Sequence, residues 1–75
     1  MSANRDGQIE YWIGLIQELV YESKDTRTNQ EKLVDAVDLQ TQINETINSL
    51  NLDESYILDV VTRVSDLIEI LKSKS

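Results

Sequence analysis

The residues best spaced to do chemistry in this sequence are two pairs of carboxylates. Glu18 and Glu22 stand four apart and Asp35 and Asp38 three apart, spacings that put each pair on one face of a helix. Paired acids can act as a glycosidase-like acid and base, or chelate a divalent cation. The same spacing is also the ordinary solvated side of a helix, where charges recur every turn. The rest of the chain favours that second reading. There is no histidine and no cysteine, so the commonest general base, the thiolate nucleophile and the usual zinc ligands are all missing. No acidic calcium loop is present, and Gly7 and Gly14 stand too far apart to cradle a phosphate. The expectation is a protein that is not an enzyme, with no cofactor and no metal.

Those carboxylates sit on elements that the apolar spacing defines. Ile9, Trp12, Ile13, Ile16, Leu19 and Val20 follow the i, i+3, i+4, i+7 pattern of one helix face. Leu33, Ala36, Val37, Gln40, Ile43, Asn44, Ile47 and Leu50 form a second stripe, in which Leu33, Gln40 and Ile47 make one heptad column and Ala36, Ile43 and Leu50 the other. Ile57, Val60, Val61, Val64, Leu67, Ile68 and Leu71 form the third and most regular. Read as a strand, Tyr56–Val64 would put Asp59 and Arg63 beside Ile57 and Val61, a conflict that the helical spacing avoids.

Helix starts are marked as well. Asp6 is placed to cap the first helix. Thr28 with Glu31 forms a capping-box signature for the second. Asp53 is placed to cap the third, with Glu54 beside it at the positive end of the dipole and Leu52 and Ile57 at staple positions. The spacing predicts helices over about 8–23, 29–50 and 54–72, joined by short polar links in an all-α, antiparallel three-helix bundle. Dimerisation through a helical hairpin of the last two helices is the variant. Residues 1–75 read as a single domain, with a polar segment over 1–6 and a frayed end over 73–75.

Composition agrees with this picture and limits the partners. Forty per cent of the 75 residues are apolar, against 28% charged, a balance that supports a core rather than a disordered tail. Proline is absent and the glycines number two, too few breakers for a turn-rich sheet. Below roughly 70–80 residues one core supplies little net stability, and with no disulfide available self-association is the expected support. A net charge of −7 disfavours nucleic-acid phosphates and anionic membrane surfaces. The polar start lacks a signal-peptide core, and no apolar run reaches membrane-spanning length. The expected setting is therefore the cytoplasm, with neither direct nucleic-acid nor membrane binding.

Residues off the main stripes are the candidates for binding. Tyr11 and Leu15 share a row with Glu18 and Glu22, while Asp35, Asp38 and Glu45 share the outer side of the second helix with Gln42. These seven, Tyr11, Leu15, Glu18, Glu22, Asp35, Asp38 and Glu45, are the expected partner-binding set, although a wide apolar band for two neighbouring helices accounts for Leu15 equally well. Gln40 and Asn44 interrupt an apolar seam. Either they fix the register of a self-association, as buried amides do in coiled coils, or the seam turns towards solvent there. With Leu58 and Ile70 they form the expected self-association set. The function expected is that of a small acidic regulatory protein presenting a helical face to a protein partner or to itself, most simply as a dimer. The alternative is an acidic inhibitor that mimics nucleic-acid phosphate on a basic protein's site. No lysine or arginine between Lys32 and Arg63 would oppose it.

Overall fold

The computed structural model describes residues 2–22 and 24–74, with side chains from residue 7 onward. It is the expected all-α fold: α1 over Ser2–Tyr21, α2 over Asn29–Ser49 and α3 over Glu54–Ser73, each packed on the other two. At 1.5 Å per residue these are rods of about 30 Å, and the molecule is 37 Å long.

Two of the three starts follow the side-chain signals. Thr28 Oγ1 accepts from the Glu31 amide at 3.1 Å and Glu31 Oε1 accepts from the Thr28 amide at 3.2 Å, a complete capping box. Asp53 Oδ1 accepts from the Ser55 amide at 3.0 Å and starts α3. The first start differs. Helix α1 begins at Ser2, so Asp6 lies inside it instead of capping it. With no proline or paired glycine ahead of Asp6, nothing in the backbone obliges the helix to stop there.

Polar contacts fix the helix directions. Glu10, in the first half of α1, meets Tyr56 and Arg63 in the first half of α3, while Lys74 beyond α3 reaches Val20 at the end of α1. Those two helices run parallel. Asn29 Nδ2 at the start of α2 donates to the Lys74 carbonyl at 2.8 Å, so α2 runs opposite to both. Lys74 thus ties all three helices, within the segment expected to fray. Its ammonium donates to the Val20 carbonyl and lies 5.8 Å from the centre of the Tyr21 ring. Helix α1 has no basic residue in its own last turn, and this cation from α3 takes up the negative end of its dipole.

The core is unevenly supplied. Ile9, Ile13, Ile16, Leu19 and Val20 are buried from α1, and Val60, Val64, Leu67, Ile68 and Leu71 from α3. Helix α2 buries Ala36, Ile43 and Ile47. No polar or charged residue is buried among the described residues, so the seam residues have turned outward. Asn44 is exposed and Gln40 half-buried.

Candidate functional site

The outward groove between α1 and α2 gathers most of the residues expected to bind a partner. A concavity of about 390 Å³ is lined by Leu15, Glu18, Leu19 and Glu22 from α1, by Asp25 and Arg27 from the link, and by Asp35, Asp38, Leu39 and Gln42 from α2. Its floor is apolar, since Leu19 is buried and Leu15 and Leu39 are half-buried. Its rim carries five carboxylates and one guanidinium. A shallower hollow of about 350 Å³ continues the groove past the shared Gln42 to Trp12, Glu45, Thr46 and Ser49. The groove therefore holds Leu15, Glu18, Glu22, Asp35, Asp38 and Glu45. Tyr11 stands exposed one turn before Leu15, outside both hollows.

Asp25 and Arg27 belong to the rim, although the helical periodicities do not point to them. Arg27 grips Asp25 with two guanidinium nitrogens, Nε to Oδ1 at 3.1 Å and Nη2 to Oδ2 at 2.7 Å, and its backbone amide also donates to Oδ1 at 3.0 Å. Those bonds, from the side chain first and the amide second, lower the Asp25 pKa to about 2. The third nitrogen, Nη1, bonds Asp35 across the link, so one cation joins the end of the groove to α2. The clue available in the sequence is an acid and an arginine two apart in a turn, where Asp commonly bonds the amide two residues on.

On the far side of α1, Glu10 accepts from the Tyr56 hydroxyl at 3.2 Å and from Arg63 at 3.2 and 3.3 Å. This contact holds the Arg63 guanidinium above its usual range, aided by Asp59. It sets the register of α1 on α3. Ile70 follows Arg63 by seven residues on that same side of α3, half-buried against the core. Gln40, Asn44 and Leu58 lie on the opposite, α2–α3 side. The four residues of the expected self-association set are therefore not brought together.

No charged residue is buried among the described residues, the two carboxylate pairs included. No group of three metal-ligating side chains converges among them either, and none of their helices is long and apolar enough to cross a membrane. Compared with family models, with curated proteins and with solved structures, the chain matches none.

Proposed function

We propose that this chain is a non-enzymatic protein-binding module whose α1–α2 groove takes a basic, amphipathic helix from a protein partner. What supports the reading is one juxtaposition: an apolar floor of Leu15, Leu19 and Leu39 directly beneath the carboxylates of Glu18, Glu22, Asp35 and Asp38. A helix laid in a groove buries its apolar residues at i, i+3 and i+4 and keeps its charges at the rim. Here leucine-sized side chains would enter between Leu15 and Leu39, and flanking lysines or arginines would meet the carboxylates. Burial of the apolar side chains would supply most of the affinity, and the charges orientation and speed of encounter. Tyr11, one turn further along α1, would extend the contact, so Tyr11→Ala weakens binding without loss of helical content.

The test is calorimetric titration with a synthetic amphipathic helix of leucine and lysine, beside an oligolysine of equal charge. The leucine-containing peptide is expected to bind about tenfold tighter, an advantage of ~1.4 kcal/mol, and Leu39→Glu to abolish the difference. Equal binding of the two peptides would overturn the reading. That outcome would favour the phosphate-mimic alternative, which needs the acidic rim and makes no use of the floor. The observation on its side is the run of exposed acids Asp38 and Glu45 along α2.

A further inference from the structure

The other flank of α2 is chemically different, and the groove does not use it. Four of the large apolar side chains that stay exposed lie on the outer face of the α2–α3 hairpin: Val34 at 65%, Val37 at 43%, Leu58 at 68% and Val61 at 43%. They form an i, i+3 pair on each helix. Because the helices are antiparallel, one pair lies near the start of α2 and the other near the start of α3, at opposite ends of the face. The positions between them carry Gln40, Thr41, Asn44 and Ser65. These intervening positions are uncharged, with Glu54, Glu69 and Lys72 towards the ends of the face and Asp38 and Glu45 along its α2 edge.

We propose that this face is where two copies of the chain meet, independently of the groove reading. Charge selects the occupant. Each copy carries −7, so two copies repel most where carboxylates face each other, and this face lets them approach with the least of that cost. A basic partner, by contrast, is drawn to the acidic groove. The intervening side chains suit a self-complementary contact, because amides and hydroxyls both donate and accept and can pair with their own counterparts across a two-fold axis. The size is sufficient for a weak dimer. Two helices of about 30 Å, each presenting a strip ~9 Å wide, offer roughly 540 Å² per copy, or ~1,100 Å² in all, just above the ~1,000 Å² that a specific interface needs.

Sedimentation equilibrium between about 1 µM and 1 mM tests the proposal, since a contact of this area associates in or below that range. A monomer–dimer equilibrium is expected that holds or tightens as salt rises from about 0.05 to 0.5 M, because screening weakens the repulsion between copies. Leu58→Glu and Val34→Glu, on different helices and both well exposed, should each weaken the dimer by tenfold or more with unchanged helical circular dichroism. Retention of the fold by either variant suffices for the test. Tyr11→Glu, on α1, should leave the dimer intact. A monomer across the whole range would overturn the proposal. So would a dimer that survives both hairpin substitutions, or one that salt or Tyr11→Glu dissociates.

Discussion

Val34 and Asp35 are neighbours in the chain, yet they serve opposite flanks of α2. A step of one residue turns a helix by about 100°, enough to move a side chain from one groove to the other. Towards α1 the helix shows Asp35, Asp38, Leu39 and Gln42, and towards α3 it shows Val37, Gln40, Thr41 and Asn44. One flank is apolar at the bottom and anionic at the rim, whereas the other is uncharged along most of its length. The comparison teaches that one helix can carry two independent recognition chemistries without a change of backbone. It also gives them opposite responses to salt: binding in the groove should weaken with added salt, and pairing across the hairpin face should not.

The most severe way to break this comparison is to loosen the element both flanks share. Helix α2 holds its place with Ala36, Ile43 and Ile47, fewer buried residues than α1 or α3 contributes. Ile43→Ala removes three carbons from a side chain that is 1% exposed, and should cost about 2–5 kcal/mol in urea unfolding. Peptide binding and dimerisation should then fail together at moderate temperature. A loss below about 1 kcal/mol would mean that α2 is anchored by something other than this core.

A charge reversal separates the flanks instead. Asp35→Lys with Asp38→Lys replaces two exposed rim acids, each worth about 1 kcal/mol or less to a cationic ligand. Affinity for the leucine–lysine peptide should fall about tenfold, or ~1.4 kcal/mol, and the dimer constant should stay the same. Dissociation of the dimer by this pair would place self-association in the groove and erase the distinction.

How much of this was legible in the sequence depends on whether the signal is periodic. The Thr28–Glu31 box and the Asp53 cap are local patterns that the hydrogen bonds repeat, and the α3 stripe is buried except at Ile57, which is half-buried, and Val61, which is exposed. The row Tyr11, Leu15, Glu18, Glu22 could also be read, because one helix fixes it. What could not be read is which row of α1 faces which row of α2, since that depends on packing across the core. Leu19 therefore reads as core alone, although with Leu39 it floors one groove. Ile70 seemed equivalent to Leu58 as an apolar residue off the stripe, and only the course of α1 past Tyr56 and Arg63 separates them. The start of α1 was missed because a helical turn of small polar residues has no periodicity to find.

A backbone control affects neither flank. Gly14 lies on the outward side of α1, without a positive φ, and a Cβ built there meets nothing within 4 Å. Gly14→Ala should stabilise the fold by ~1 kcal/mol through lower unfolded-chain entropy, raising the Tm by roughly 4–8 °C. Both association constants should be unchanged. An effect on either would show that α1 must flex there for binding.

The smallest expected effect refines the groove itself. Arg27 is the cation at its rim, held by Asp25 and bonded to Asp35. Arg27→Ala should free both carboxylates and strengthen peptide binding about threefold, the scale of one exposed charge. It should also return Asp25 towards its ordinary value. In the native protein the Asp25 pKa is lowered from 3.8 to about 2, so its bonds to Arg27 contribute fully above about pH 3.8 and are lost as pH falls through about 2. A carboxyl-carbon NMR titration should find Asp25 near 2 in the native chain and higher in Arg27→Ala, where the amide of residue 27 still donates to it. Should Asp25 titrate alike in both, Arg27 is not clasped by the link, and the rim would be free to present that cation to a ligand.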